Sequence, residues 1–313
     1  MQYDDDSQLD TSQVQDTRRG GGMLPSGRGG QLAAGGGGLG ILGVIIALVV
    51  NFTGGGGSSS ALSDVLGQLG QGGQPATADN SQITQECKTG SDANKKLDCA
   101  VVADIDSIQA YWAQALPALG KKYIPVPTVW FTGQVRTACG AATSGSGPFY
   151  CPGDERVYID LSFYKDLEQQ FGAKGGLFVD AYVLAHEYGH HVQNLLGTNK
   201  QVRQGDTGPT SGSVRLELQA DCYAGVWARH ATTVPGPSGR PLITNITEDD
   251  INRALDAAAR IGDDFIQKNL GNGTVRQDAF THGSSQQRQK WFTSGYRVGD
   301  PRSCDTFNTN NLG

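Results

Sequence analysis

The sequence predicts an α+β fold, mostly helical with a small β-sheet, and three patterns support this prediction. Apolar residues recur every three or four positions over 97–119, and helical periodicity returns in most of the chain from Leu177 onward. Two short stretches, 128–132 and 156–161, are rich in β-branched and aromatic residues and predict strands. Glycine dominates before residue 85, with 20 of the 45 glycines between Gly20 and Gly73. We therefore expect one folded domain, 85–313.

The first 84 residues divide into three predicted segments outside that domain. Residues 1–31 carry an acidic run near their start, which predicts a disordered tail. Residues 32–52 are uncharged and end in a strongly apolar run, which predicts a transmembrane signal anchor. A cleaved signal peptide and a buried soluble helix are the alternatives, disfavoured by the poor cleavage site and the glycine-rich flanks. Residues 53–84 predict a flexible, glycine-rich linker.

Basic residues give the expected orientation of the anchor. Arg18, Arg19 and Arg28 precede it, and no lysine or arginine follows until Lys88. The positive-inside rule then predicts a single-pass membrane protein with a cytoplasmic tail and its large domain outside the cytoplasm, in the periplasm or at the cell surface. The lipid bilayer is thus an expected partner. A net charge of −6 lacks the basic footprint of a nucleic-acid-binding protein, so no nucleic acid is expected.

Six cysteines favour an oxidising compartment. Their positions suggest three disulfides: Cys87 with Cys99, Cys139 with Cys151, and Cys222 with Cys304. This pairing rests on proximity in sequence, because six cysteines allow fifteen connectivities. Reduced core thiols are the alternative. The chain has no CxxC pair, which argues against a zinc site made of thiolates.

The motif His186-Glu187-Tyr188-Gly189-His190 lies in a predicted helix that follows an apolar run. Residues four apart share a helix face, so the two histidines can bind one metal ion. Glu187 is rotated by about 100° from His186 and can act on water at the metal without being a ligand. Two imidazoles and a water suit Zn2+. Gly189 inside the helix suggests close approach of another helix. The alternative to a metal site is a surface helix that carries two incidental histidines.

A third ligand candidate lies in a second predicted helix that starts near Ser211. Glu217 and Asp221 are four residues apart and face the same way. Glu217 could complete a His2Glu set, while Asp221 accepts a hydrogen bond from the distal nitrogen of a ligand histidine and fixes its tautomer. An ordinary solvated acidic pair is the alternative, which the apolar surroundings disfavour.

Four motifs together resemble the bacterial family of neutral zinc metallopeptidases. They are His-Glu-Tyr-Gly-His-His-Val-Gln at 186–193, Glu-Leu-Gln-Ala-Asp-Cys-Tyr-Ala-Gly at 217–225, Thr-His-Gly-Ser at 281–284 and Gly-Tyr-Arg-Val-Gly-Asp-Pro at 295–301. The resemblance runs from about the predicted anchor to the C-terminus and does not cover the acidic N-terminus. It implies a mostly helical zincin-type domain with a small sheet. By that likeness His186, His190 and Glu217 are zinc ligands and Glu187 is the general base.

Three histidines lie outside the predicted ligand pair. His282 lies in a loop before a helix and could stabilise a developing oxyanion, although a loop histidine often has no such role. His191 points away from the predicted ligand face and is interpreted as a structural residue or as one that supports a ligand, rather than as a ligand itself. His230 ends a predicted helix, where the dipole favours a cation. The strand 156–161 is expected to offer an exposed sheet edge that could bind an extended peptide.

The leading functional prediction is zinc-dependent hydrolysis of peptide bonds, a metalloendopeptidase that uses one Zn2+ and acts on a peptide or protein substrate. Amide bonds of cell-wall peptides are a second substrate class compatible with the same zinc. The alternative from a different class is a catalytically silent, membrane-tethered scaffold or binding protein that holds zinc for structure. Glu187 argues against the scaffold, because a structural zinc has four protein ligands and needs no base.

Overall fold

The computed structural model describes residues 1–19, 77–236 and 238–313. The strands are β1 (Gln2–Tyr3), β2 (Val14–Asp16), β3 (Thr128–Trp130), β4 (Gln134–Thr137), β5 (Gly140–Thr143), β6 (Phe149–Cys151), β7 (Arg156–Ile159) and β8 (Ile243–Asn245). The helices are α1 (Ser81–Glu86), α2 (Gly90–Ala93), α3 (Leu97–Ala115), α4 (Ser162–Gln169), α5 (Leu177–Leu196), α6 (Gly212–His230), α7 (Glu248–Arg260), α8 (Asp263–Asn269) and α9 (Ser285–Val298). The predicted mixture of many helices with a small sheet is confirmed.

The main sheet has four strands in the order β2-β3-β7-β6. β2 runs parallel to β3, which runs parallel to β7, and β6 pairs antiparallel with β7. The two strands predicted from sequence are thus β3 and β7, the central pair. β4 and β5 form a separate hairpin, and β1 pairs with β8.

The N-terminal segment 1–19 is part of the folded domain, so its predicted disorder is wrong. Tyr3 and Val14 are fully buried, and the Tyr3 hydroxyl donates a hydrogen bond to Asp104 in α3 at 2.8 Å. The end of the predicted linker is also ordered, since the Asn80 side chain donates to the Val14 carbonyl and accepts from the Asp16 amide. The acidic residues that suggested a solvated tail instead cap turns and form ion pairs, as Asp16 does with Arg18 at 2.7 Å.

This arrangement corrects the predicted localisation. A single membrane crossing over 32–52 would place residues 1–31 and the large domain on opposite sides of a bilayer. Yet β2 is hydrogen-bonded to β3 within one sheet. No helix among the residues that the structure describes is both long enough and apolar enough to cross a membrane. The predicted anchor 32–52 and most of the linker 53–84 lie outside the described residues.

The helical core is built around α3, whose residues 99–109 are all buried. A helix that is buried on every side belongs in the interior. α6 and α9 pack at backbone contact: a Cβ added at Gly225 would lie 2.1 Å from the Phe292 carbonyl oxygen. α5 and α6 also approach closely, because a Cβ at Gly189 would lie 3.1 Å from Cα of Ala220. The close helix approach expected at Gly189 is therefore confirmed.

All three expected disulfides are present. They join Cys87 to Cys99, Cys139 to Cys151, and Cys222 to Cys304. The first fastens α1 to α3, the second fastens the β4–β5 hairpin to β6, and the third fastens the C-terminal segment to α6. The last bond adjoins Asp221, so it helps to hold α6 where the site is assembled.

Candidate metal centre

Three predicted ligand residues converge at the contact between α5 and α6. His186 and His190 lie on one face of α5, and their Nε2 atoms are 3.2 Å apart. Oε2 of Glu217, on α6, lies 3.2 Å from Nε2 of His186. One potential ligand atom from each residue falls within 4.8 Å of the others, and all three side chains are buried. Since Gly189 and Ala220 allow the two helices to touch, the carboxylate reaches the histidine pair.

The distal nitrogens of both histidines have hydrogen-bond partners. Nδ1 of His186 donates to Oδ1 of Asp221 at 2.9 Å, and Nδ1 of His190 donates to Oε1 of Gln193 at 2.8 Å. These bonds place the proton of each ring on Nδ1 and leave the Nε2 lone pair directed into the cluster. Neutral imidazoles held in this way are suited to bind a metal. The position predicted for Asp221 is the one that the structure shows.

The electrostatics of the cluster favour a cation. Burial lowers the pKa of His186, but Asp221 and Glu217 outweigh burial and raise it to about 9, so the surroundings of this ring favour a positive charge, which a bound metal ion would supply in place of a proton on Nε2. Burial raises the pKa of Glu217, yet the nearby His190 and His282 hold it well below the usual value. Oε1 of Glu217 is buried without a hydrogen-bond partner. An oxygen in this state, beside two imidazole lone pairs, fits a divalent ion of the zinc type.

Arg288 is a member of the site that the sequence analysis did not assign. It is 1% exposed and binds Asp221 through two hydrogen bonds, from Nε at 2.8 Å and from Nη2 at 2.9 Å. The Tyr182 hydroxyl donates a third bond to the same carboxylate at 2.7 Å. Burial raises the pKa of Asp221, but the Arg288 charge beside it, together with His186, lowers that pKa to about 2. Asp221 therefore stays an anion and a strong acceptor for His186.

Glu187 stands beside the ligands without joining them. It is 4% exposed, and its Oε2 has no hydrogen-bond partner. Burial raises the pKa of this carboxyl above its usual value. A carboxylate with a raised pKa and a free oxygen is suited to accept a proton near neutral pH.

His282 lies near the cluster, in the loop before α9. Oδ2 of Asp263 accepts hydrogen bonds from the amides of Thr281, His282 and Gly283 at 2.7 to 2.9 Å. Nδ1 of His282 pairs with the Thr281 hydroxyl at 2.8 Å, while its buried Nε2 has no partner. Asp263 thus fixes the loop and holds His282 in place. Asp263 lies 18 to 20 residues before these amides in the sequence, so local sequence patterns did not indicate the contact.

The other two histidines are structural, as interpreted from sequence. Nε2 of His191 donates to the Ile124 carbonyl at 2.8 Å, so its Nδ1 accepts from the Tyr150 hydroxyl at 3.0 Å. Burial lowers the pKa of His191 to about 4, which keeps the ring neutral. His230 ends α6 and donates to the Gly299 carbonyl at 2.8 Å. Neither ring contributes to the ligand cluster.

A cleft opens beside the cluster. Its lining includes His186, Glu187 and Glu217, together with Tyr182 and Arg288. Gly147 and Pro148, just before β6, line it together with Phe163 from α4. The expected substrate edge at 156–161 is corrected here, because β7 lies between β3 and β6. β6 is the edge strand on this side of the sheet, and the residues just before it, Gly147 and Pro148, border the cleft.

The family model described as "Putative neutral zinc metallopeptidase" matches residues 1–307. The chain belongs to this family. The match includes the acidic N-terminus, which the resemblance seen in the motifs did not cover, and it agrees with the packing of residues 1–19 against the domain.

Two bacterial relatives match most of this chain. An uncharacterized protein of Mycobacterium tuberculosis is 50% identical over 229 residues, which cover 73% of this chain and 76% of that protein. An uncharacterized protein of Escherichia coli K12 is 40% identical over 304 residues, which cover 95% of this chain and 96% of that protein. No solved structure matches the chain.

Proposed function

We propose that the chain is a zinc-dependent peptidase in which His186, His190 and Glu217 hold one Zn2+ and Glu187 is the general base. The observation that supports this most is the composition of the cluster. It offers three ligand residues, with a buried carboxylate beside them that has a free oxygen. A catalytic zinc takes three protein ligands and keeps one position open, whereas a structural zinc takes four. Among the described residues, the metal-binding group contains three, which disfavours the silent scaffold.

The proposed chemistry assigns a task to each residue. When bound, zinc supplies the Lewis acidity that polarises a carbonyl and makes water a nucleophile near neutral pH. Oε2 of Glu187 takes the proton from the attacking water and then gives it to the amine that leaves. Asp221 and Gln193 keep the protons of the two imidazoles on Nδ1. Arg288 balances the charge of Asp221 inside the protein.

His282 is proposed to stabilise the negative charge that develops on the substrate carbonyl oxygen. Its buried Nε2 is without a partner, and the loop that holds it is fixed by Asp263. A donor that is already in place when charge develops lowers the barrier without reorganisation. Glu217 and Asp263 raise the pKa of His282 despite burial, and Nε2 can donate to an oxygen whenever it carries a ring proton.

The test uses the full chain, because residues 1–19 belong to the folded domain. The zinc-loaded protein is assayed for casein hydrolysis beside Glu187→Gln, with Glu248→Gln as a control at an exposed position in α7. We expect activity in the unchanged protein and the control, and a loss of at least about a hundredfold in Glu187→Gln. Equal activity in Glu187→Gln would refute the role of Glu187.

A further inference from the structure

The cleft beside the cluster is lined largely by apolar side chains. Its walls include Pro148, Phe163, Val183 and Ile261, all buried apolar residues. They come from the segment before β6, from α4, from α5 and from the residue after α7. Four separate elements therefore build one apolar surface that reaches Glu187 and the ligand residues.

The arginine in this lining is not free to bind a substrate anion. Arg288 directs Nε and Nη2 to Asp221, and Nη1 lies 3.4 Å from the Ile261 carbonyl oxygen. Its charge is balanced by the buried carboxylate of Asp221. The carboxyl groups of Glu187 and Glu217 also line the cleft. An acidic side chain placed here would be desolvated beside two carboxyl groups, and such burial of an unpaired charge is costly.

Asp160 holds two walls of the cleft in place, the loop before β6 and the start of α4. Oδ2 of Asp160 accepts from the Gly133 amide at 3.1 Å and from the Ser144 hydroxyl, which fixes the loop leading to Gly147. Oδ1 of Asp160 accepts from the Ser162 amide at 3.0 Å at the start of α4, directly before Phe163. The cleft is therefore preformed, which lets it discriminate between side chains without first being ordered.

We propose that this cleft binds an apolar side chain of a residue that flanks the scissile bond. The inference rests on the proposed function and adds the substrate class. One residue of an extended chain spans at most about 3.3–3.6 Å, so a side chain in contact with Glu187 belongs to a residue next to the reacting carbonyl. The apolar walls favour a hydrophobic group over glycine, and burying a charged side chain among them carries a desolvation cost.

The first test compares peptides that differ at a single residue flanking the cleaved bond. The zinc-loaded full chain is given peptides with leucine, glycine, aspartate or lysine at that position, and kcat/KM and the cleavage site are measured. We expect leucine to exceed glycine by about tenfold to a hundredfold and both charged residues to fall below glycine. Equal values for all four, or a preference for a charged residue, would overturn the inference.

A matched pair of variants tests the wall itself. Val183→Ala enlarges the cleft, while Val179→Ala removes the same atoms from a buried valine on the same helix that does not line it. The ratio of kcat/KM for phenylalanine over valine peptides should rise about tenfold in Val183→Ala and stay unchanged in Val179→Ala. Ile261→Ala tests a second lining residue in the same way. An unchanged ratio in both wall variants contradicts the assignment of the cleft.

A binding measurement separates this inference from the proposed function. Zinc-loaded Glu187→Gln protein is titrated with the same four peptides by calorimetry. Tighter binding of the leucine peptide supports the apolar cleft even if the unchanged protein cleaves none of them, an outcome that would refute only the peptidase proposal. Equal or weaker binding of the leucine peptide overturns the cleft assignment whether or not cleavage occurs.

Discussion

Replacing Arg288 with methionine removes the cation that faces Asp221 in the interior. The two side chains are 1% and 0% exposed and share two hydrogen bonds of 2.8 and 2.9 Å. Methionine keeps much of the apolar stem but leaves the Asp221 carboxylate buried without its charge partner. Breaking a buried ion pair from one side costs about 3–5 kcal/mol, because the remaining charge is uncompensated. We expect Arg288→Met to lower the free energy of unfolding by this amount.

The assay is urea unfolding of the full chain with a chelator present, so that metal binding does not add to the stability. Arg297→Met is the matched control, since Arg297 lies on the same helix at an exposed position. It should change the free energy of unfolding by less than about 0.5 kcal/mol.

A double variant separates the charge from the packing. Adding Asp221→Asn to Arg288→Met removes the unpaired anion, so at least half of the lost stability should return. Zinc affinity of the double variant should fall about 10- to 100-fold below that of the unchanged chain, because the anionic acceptor of His186 is gone. A cost below about 1 kcal/mol for Arg288→Met, or a double variant no more stable than the single one, would refute the charge-balance reasoning.

Three further predictions concern the fold. Tyr3→Ala should cost about 3–5 kcal/mol in urea unfolding, because Tyr3 is buried against α3; a cost below about 1 kcal/mol would show that the N-terminus is not packed there. Gly225→Ala should lower the free energy of unfolding by at least about 1–3 kcal/mol and weaken zinc binding, because the added Cβ would meet the Phe292 carbonyl. An unchanged melting temperature and unchanged zinc binding would contradict the tight contact of α6 with α9. Burial raises the pKa of Asp104 well above its usual value, so the folded state retains a proton that the unfolded state releases above pH ~4. The contribution of Asp104 to stability should then fall by about 1.4 kcal/mol per pH unit as pH rises from that point, and Asp104→Asn should make the slope of the unfolding free energy against pH, measured by urea unfolding at several pH values, less negative by that amount.

The metal cluster could be predicted because its geometry is mostly local. The spacing of His186 and His190, and of Glu217 and Asp221, follows from the period of a helix. Gln193 could have been found in the same way, since it lies three residues after His190. Arg288 could not, because its partner lies 67 residues earlier and nothing in a single sequence links the two positions.

The N-terminal segment shows where composition misleads. Asp4, Asp10 and Asp16 suggested a solvated tail, yet they bind Arg240, the Ser12 amide and Arg18. β1 and β2 have two and three residues, too short to show alternation, and their sheet partners lie more than a hundred residues away. A short strand of this kind is ordered by its neighbours rather than by its own sequence.

The central claim is that His186, His190 and Glu217 hold a catalytic zinc beside the base Glu187. It can be tested by measuring the zinc content and the peptidase activity of the same proteins. The full chain, Glu187→Gln and Glu217→Gln are purified in parallel, and bound zinc is measured by elemental analysis beside casein hydrolysis. We expect one zinc in the unchanged chain and in Glu187→Gln, much weaker retention in Glu217→Gln, and activity only in the unchanged chain. Equal zinc in all three proteins, or casein hydrolysis by Glu187→Gln, would contradict the proposed centre.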